Sequence, residues 1–120
     1  MANLNRDLTV IRHMQKICSE VEKTLNRYGR NIELFRNDTD FRDSISMKIF
    51  QIGELSNHLT DAYKEETKNE MAWFQLIGMR NRFAHGYYTM DLDIIYETAV
   101  SSIPMLNSFC LKEIIRLSER

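Results

Sequence analysis

One segment of the sequence is the most informative about its structure: Met71-Ala72-Trp73-Phe74-Gln75-Leu76-Ile77-Gly78-Met79-Arg80-Asn81-Arg82-Phe83-Ala84-His85-Gly86-Tyr87. Its apolar residues recur at spacings of three and four, which is the period of an amphipathic α-helix. The pattern predicts a helix from about Met71 to His85. Gly86 follows, and a glycine in the left-handed conformation is a common end of a helix. We therefore expect this helix to turn one apolar face to a core and to end at Gly86.

Three more amphipathic helices are predicted, two before this segment and one after it. Their apolar stripes are Ile11, Met14, Cys18, Val21, Leu25 and Tyr28; Phe41, Ile45, Ile49, Ile52, Leu55, Leu59 and Tyr63; and Leu92, Ile95, Ala99, Ile103, Leu106, Cys110, Ile114 and Leu117. The first of these helices is expected to start near Asp7 and to end at Gly29. The second should be capped within residues 37–40, and the third by Thr89 or Asp91. Pro104 must either kink the last helix or start a new one. Residues 30–39 show poor periodicity and are expected to form a connection.

The composition also favours helices. Four glycines and one proline in 120 residues are too few for the many turns of a small β-protein. No internal repeat, low-complexity tract or second domain is visible in the sequence. We expect one all-α domain over residues 1–120, built as an antiparallel bundle of four to five helices.

Charge, hydropathy and cysteine content narrow the classes of function. The formal net charge is -1, so no general basic field attracts nucleic acid and any contact with RNA must come from a local patch. No apolar run approaches the roughly 18 residues of a membrane span, and the first residues lack the apolar region of a signal peptide. These features predict a cytoplasmic protein. Cys18 and Cys110 both fall on apolar stripes and are expected to be free, buried thiols.

Arg80 is the residue whose predicted position conflicts most with its polarity. On an ideal helix of about 100° per residue that starts at Trp73, the apolar face centres near about 340°, where Arg80 also falls. Arg82, at about 180°, points the opposite way. A guanidinium on an apolar face needs a carboxylate, a phosphate or water, because it cannot lose its proton. Three explanations for Arg80 are therefore open. It is held in an ion pair, for which Glu54 is a candidate; its side chain extends out of the core; or it belongs to a functional site.

Two polar neighbours favour the functional interpretation of Arg80. Asn81 and His85 are four residues apart and share the flank at about 80° to 120°, so a cation, an amide and an imidazole adjoin. Cleavage of RNA by its own 2′-hydroxyl needs a group that moves protons near neutral pH and a cation for the crowded phosphorus. That chemistry requires no metal and no other cofactor. A metal site is also disfavoured, because His13, His58 and His85 fall on different helices without a carboxylate at ligand spacing.

The context of these residues resembles the HepT-like branch of the HEPN superfamily. The hallmark of that branch is Arg, four residues, His, one residue, Tyr, which here is Arg80, His85 and Tyr87. The resemblance covers about residues 41–106 and includes Ile52-Gly53-Glu54, Trp73, Asp91 and Pro104. The chain departs from the pattern at Met47-Lys48, where an Arg-Asn pair is expected.

The resemblance implies a HEPN-like bundle that acts as a metal-independent endoribonuclease, the toxin of a type VII-like toxin-antitoxin pair. The resemblance also implies a homodimer whose two motif segments face each other across one composite cleft. Arg80 and His85 would be the catalytic pair, and Asn81 would organise the site. Tyr87 would line the cleft and be adenylylated by a minimal nucleotidyltransferase antitoxin. The added charge and bulk would switch the site off.

The residues around the motif leave a second class of function open. Glu54 and Arg82 are candidates for supporting roles, and Arg82 with Lys48 adds to a modest basic patch that a dimer would double. The other class is a non-catalytic HEPN module that binds nucleotide or docks onto a nucleotidyltransferase. The intact set of arginine, asparagine and histidine favours the enzyme.

Overall fold

Helices make up almost all of residues 2–120, which is the range described by the structure, a computed structural model with side chains described from Arg6 onward. In chain order the helices are α1 (Ala2–Arg27), α2 (Ile32–Asn37), α3 (Thr39–His58), α4 (Asp61–Thr67), α5 (Trp73–Gly86), α6 (Leu92–Glu97) and α7 (Ile103–Ser118). A 3-10 turn, Tyr87–Thr89, follows α5, and a π-helical turn, Thr98–Ser102, joins α6 to α7. Within the described range no strand is present.

The four long helices pack in the spatial order α7, α1, α3, α5. Neighbouring helices in this order run antiparallel. Hydrogen bonds between the helices show these directions. The start of α1 meets the end of α3 through Asp7 and Thr60, and the end of α7 through Arg12 and Ser118. Between α3 and α5 the bonded pairs are Glu54 with Arg80 and Ser46 with Tyr87. The predicted all-α antiparallel bundle is confirmed.

The predicted apolar stripes supply the core between these helices. The fully buried members include Ile11, Met14, Leu25, Phe41, Ile45, Ile52, Ile95 and Leu106. Cys18 and Cys110 are free and buried, as predicted, and burial raises the pKa of the Cys18 thiol to about 12. Both thiols therefore act as apolar core groups. Between residues 2 and 120 no helix combines the length and apolar character that a membrane crossing requires.

The segment between α1 and α3 contains a helix that the periodicity did not predict. Asn31 caps α2 by accepting a hydrogen bond from the backbone N–H of Leu34 at 3.1 Å. Phe35 on α2 is buried, and its ring stands edge-on to Phe41 with centroids 5.3 Å apart. The expectation of a connection was wrong because a helix of six residues is too short to display a helical period. Gly29 precedes it with φ of 68°, the conformation expected of a glycine that ends a helix.

The second predicted helix divides into α3 and α4 at Leu59 and Thr60. Leu59 is extended, and Thr60 caps α4 by accepting from the backbone N–H of Tyr63. Buried Asp7 accepts hydrogen bonds from the N–H and the hydroxyl of Thr60 at 2.8 and 2.7 Å. Asp7 therefore fixes this corner from within α1, which starts at Ala2 and not near Asp7 as expected. Leu59 and Tyr63 are both buried in the core, so the apolar stripe continues across the break between α3 and α4 and does not indicate it.

The end of α5 also differs from the prediction. Gly86 has φ of -171°, which is extended backbone, and not the left-handed conformation. The chain continues into the 3-10 turn, where the Thr89 hydroxyl donates a hydrogen bond to the Gly86 carbonyl at 2.8 Å. This carbonyl at the helix end therefore has a partner without a left-handed residue. Asp91, one of the two predicted caps, accepts from the N–H of Asp93. Pro104 lies in the first turn of α7, directly after the π-helical turn; Glu97, Thr98, Ser102 and Ile103 are all helical, so the chain changes its helical type before this proline without leaving the helix.

Candidate active site

Arg80 lies at a close approach between α3 and α5. A Cβ built on Gly53 of α3 would lie 2.4 Å from the Cβ of Arg80 and 2.8 Å from the carbonyl oxygen of Leu76. Real side-chain atoms do not approach that closely, so only glycine allows this crossing. Gly53 thereby determines where the stem of Arg80 lies.

The guanidinium of Arg80 is held by two polar partners and one ring. Its Nε donates to Oε1 of Glu54, so the ion pair that is an alternative explanation for this arginine is present. Its Nη1 donates to Oδ1 of Asn81 at 3.0 Å, and its central carbon lies 5.7 Å from the centroid of the Phe50 ring. Among the described residues, Nη2 has no acceptor. The ion pair therefore orients the guanidinium while leaving donors for an anion.

The short segment Ile52-Gly53-Glu54 on α3 supports the arginine in three ways. Ile52 is fully buried and anchors this turn of α3 in the core. Gly53 allows α5 to pack close to α3, and Glu54 supplies the carboxylate that pairs with Arg80. The side chains of Arg80 and Glu54 are 29% and 37% exposed, so the pair sits at the rim and not in the interior. A pair this open to water stabilises the fold only weakly.

His85 lies on the exposed surface in the last turn of α5. It borders a shallow depression of about 330 Å³ lined by Arg82, His85, Gly86, Thr89, Met90, Asp91 and Ile94. Arg82 is exposed and borders the same depression, whereas Arg80 is not among the residues that line it. The structure thus brings Arg80 together with Asn81 and Glu54, and brings His85 together with Arg82.

Tyr87 turns back onto α3 and borders a different depression, of about 350 Å³. Its hydroxyl donates to Oδ1 of Asp43 at 2.8 Å, and the hydroxyl oxygen of Ser46 lies 3.2 Å away. Burial raises the pKa of the Tyr87 phenol; the hydrogen bond from Ser46 opposes this rise, and that to Asp43 adds to it. The resemblance implies that Tyr87 lines the catalytic cleft, but within one chain Tyr87 and His85 face separate depressions.

The departure from the family pattern falls beside Tyr87. Met47 is 56% exposed and forms part of the wall of the Tyr87 depression. Lys48 is half-buried and donates to the Ser44 hydroxyl at 2.7 Å. Sequence reasoning did not find Asp43, because no spacing rule connects a carboxylate on α3 to a tyrosine 44 residues later.

We call the flank of α5 that holds Phe74, Gly78 and His85 its outward face; it carries an exposed aromatic ring, and a second lies just beyond the helix. Phe74 is 74% exposed, and Tyr88, just beyond the helix, is 99% exposed. Gly78 lies on the same flank as Phe74 and His85, at about 100° to 140° on an ideal helix. Nothing lies within 4 Å of a Cβ added to Gly78. A phenylalanine on an otherwise polar flank is the sequence signal that points to this face.

The remaining histidines do not join the site. His13 on α1 and His58 on α3 are exposed and border a groove of about 210 Å³ together with Glu54. Within the described part of the chain, no group of three or more His, Cys, Asp or Glu residues is placed to hold a metal ion.

The antiparallel all-α bundle is consistent with a HEPN-like domain, and Arg80, Asn81 and His85 lie along the last turns of α5. The sequence profile described as "Ribonuclease HepT-like" matches residues 14–113, which is most of the chain. The chain belongs to the HepT-like ribonuclease family.

Two relatives carry names of the same kind, each called a "Putative RNase". One, from Caldanaerobacter subterraneus subsp. tengcongensis, is 28% identical over 105 residues, which cover 87% of this chain and 92% of the relative. The other, from Methanocaldococcus jannaschii, is 24% identical over 81 residues, which cover 60% of this chain and 73% of the relative. No solved structure matches the chain significantly.

Proposed function

We propose that this protein is a metal-independent endoribonuclease that acts as the toxin of a cytoplasmic type VII-like toxin-antitoxin pair. The observation that carries the proposal is the oriented Arg80 beside Asn81, followed at the end of the same helix by an exposed His85, in a chain of a ribonuclease family. The chemistry is attack by the RNA 2′-hydroxyl on the adjacent phosphorus. The 5′-oxygen leaves, and a 2′,3′-cyclic phosphate remains.

Each residue has a task in this reaction. Arg80 directs its unpaired Nη2 donors at the phosphate oxygens, on which negative charge accumulates as the phosphorane forms. Asn81 and Glu54 hold the guanidinium in that orientation. His85 transfers the proton of the 2′-hydroxyl or of the leaving oxygen, which an imidazole does well near neutral pH. Arg82, which borders the same depression as His85, contacts a neighbouring phosphate.

The active site is completed by a second copy of the chain. One subunit offers a single imidazole, and its Arg80 does not border the depression of its own His85. A two-fold axis along the outward face of α5, the flank that holds His85, supplies a second histidine. The exposed rings of Phe74 and Tyr88 give this face apolar area to bury, and Gly78 permits close approach between two helices.

Gly78→Gln is expected to weaken the homodimer by about tenfold or more and to reduce RNA cleavage in parallel, because it inserts a side chain into the proposed contact. The monomer should fold normally, since an added Cβ meets no atom within 4 Å. Sedimentation equilibrium measures the dimer, and Asn57→Gln on the exposed surface of α3 is the matched control. An unchanged dimer in Gly78→Gln would remove this face from the proposal.

The partner in this proposal is a minimal nucleotidyltransferase that adenylylates Tyr87. The phenol is accessible from a surface depression and lies two residues after His85, so a phosphodiester there adds negative charge close to the place of RNA cleavage. A second candidate is a non-catalytic module that docks onto such an enzyme. The ion pair between Arg80 and Glu54 favours this second candidate, because it gives the arginine a structural reason to be present.

RNA cleavage by the purified, unmodified chain in the presence of EDTA distinguishes the two candidates. We expect fragments that end in 2′,3′-cyclic phosphate, detected by ligation-based sequencing that requires this end, and slowed growth when the chain is expressed without its partner. Intact mass must first show that Tyr87 carries no added nucleotide. Failure of the unmodified chain to cut RNA or to slow growth would leave the docking module as the function.

A further inference from the structure

The hydroxyl of Tyr87 has a carboxylate as its hydrogen-bond acceptor. Asp43 lies on the exposed side of α3, and its Oδ1 accepts from the phenol at 2.8 Å. Ser46, one turn further along α3, lies 3.2 Å from the phenol oxygen. The three groups meet at the rim of the same depression, whose apolar walls include Phe50 and Phe83. Nothing in the proposed RNA chemistry uses Asp43.

We propose that Asp43 is the proton acceptor for the modification of Tyr87, so that the toxin supplies a catalytic group for its own inactivation. This inference rests on the proposed adenylylation. In the step, the Tyr87 oxygen forms a bond to the α-phosphorus of a nucleoside triphosphate. The bond from that phosphorus to the bridging oxygen breaks, and pyrophosphate leaves with the electron pair. The phenolic proton passes to Oδ1 of Asp43.

The environment of Tyr87 explains why a proton acceptor is needed. Burial, and to a lesser extent Asp43, raises the pKa of the phenol, so the hydroxyl is protonated at neutral pH. A protonated phenol is a weak nucleophile until a base removes the proton during attack. Asp43 is already in hydrogen-bond contact with that proton, which is the geometric requirement for a general base.

The neighbouring groups fit a step that brings phosphate to this position. Ser46 has no basic group at neutral pH and serves to orient the phenol oxygen. The positive charge of Arg42 acts on the same hydroxyl and favours the anionic phosphate that forms there. The depression of about 350 Å³ offers the rings of Phe50 and Phe83 and the side chain of Met47 as a surface on which a nucleoside can rest.

The test uses the full chain and a minimal nucleotidyltransferase that labels the wild type with ATP radiolabelled at the α-phosphate. Single-turnover rates are compared for Asp43→Asn, Asp43→Glu, Ser46→Ala and the matched control Asp40→Asn, an exposed carboxylate on the same helix. Asparagine keeps an acceptor oxygen for the phenol but cannot take its proton. We expect Asp43→Asn to lower the rate by about 100-fold, which is typical for loss of a general base. We expect partial recovery in Asp43→Glu, a smaller loss than in Asp43→Asn for Ser46→Ala, which removes only the orienting hydroxyl, and a rate within about threefold of wild type for Asp40→Asn.

The pH dependence of the rate separates proton transfer from positioning. In Asp43→Asn the phenol must ionise before it attacks, so the residual rate should rise about tenfold per pH unit, more steeply than in the wild type. Thermal unfolding verifies that each variant is folded. Labelling of Asp43→Asn within about threefold of wild type, with the same pH profile, would overturn this inference and leave the proposed function intact. Absence of label on wild-type Tyr87 would overturn the proposed modification and this inference together, while RNA cleavage is judged separately.

Discussion

Replacing His85 by alanine is expected to lower RNA cleavage by about 1000-fold, because proton transfer to or from the reacting oxygens contributes about 100- to 10,000-fold in enzymes that depend on it. His85 is exposed, so its removal should leave the free energy of unfolding nearly unchanged. The measurement is the single-turnover rate on a defined single-stranded RNA, with the unmodified protein and EDTA present. Product ends are determined in the same assay.

The chain provides matched controls for this prediction. His13 and His58 are also exposed helical histidines, and neither borders the depression of His85, so their alanine variants should cleave RNA at the wild-type rate. His85 is a cleaner test than Arg80, since removing Arg80 also leaves Glu54 without its partner. A His85→Ala protein that cleaves as fast as the wild type would show that the imidazole does not take part in the reaction.

Gly53→Ala is expected to destabilise the protein by about 2 kcal/mol, although alanine is the better helix former by about 1 kcal/mol. The steric cost wins because the new methyl group would lie 2.8 Å from the backbone carbonyl oxygen of Leu76, which cannot rotate away. α5 must then move off α3 and take Arg80 with it. For a chain of this length the loss corresponds to a fall in Tm of about 8 °C. RNA cleavage should fall as well.

Gly78→Ala is the matched control for Gly53→Ala and should have the opposite sign. Its methyl group meets nothing within 4 Å, so only the helix propensity remains, and the monomer should gain about 1 kcal/mol. Both variants are compared by urea unfolding at concentrations where the protein is monomeric. If the two alanines changed stability in the same direction, the close approach at Gly53 would not be the constraint that positions Arg80.

The periodicity predicted the four long helices because each buries one apolar stripe, and burial is what a helical period records. It did not show the break at Leu59, since the residues on both sides of the break still face the core. The periodicity also did not predict α2, because a helix of six residues is too short to show a repeating apolar pattern. At Gly86 the residue type was informative about the end of the helix but not about its conformation.

The site was predictable in part for the same reason. The helical wheel placed Arg80 in the middle of the apolar face, whereas the structure places it at the rim, because the buried residue of this helix turn is Met79. The partner Glu54 followed from the need of a guanidinium for a carboxylate. The contact of Tyr87 with Asp43 did not follow from any pattern, because it depends on how the 3-10 turn folds the chain back onto α3.

If Tyr87 is modified and RNA is cleaved as proposed, the separation of Tyr87 from His85 has a consequence for the order of these two events. An enzyme that approached over α3 would then reach the phenol while a strand of RNA still occupied the surface around the imidazole. Under that proposal, modification of Tyr87 would not have to wait for the chain to release its RNA. The relative amounts of the two proteins, more than the supply of RNA, would then determine how long the chain stays active.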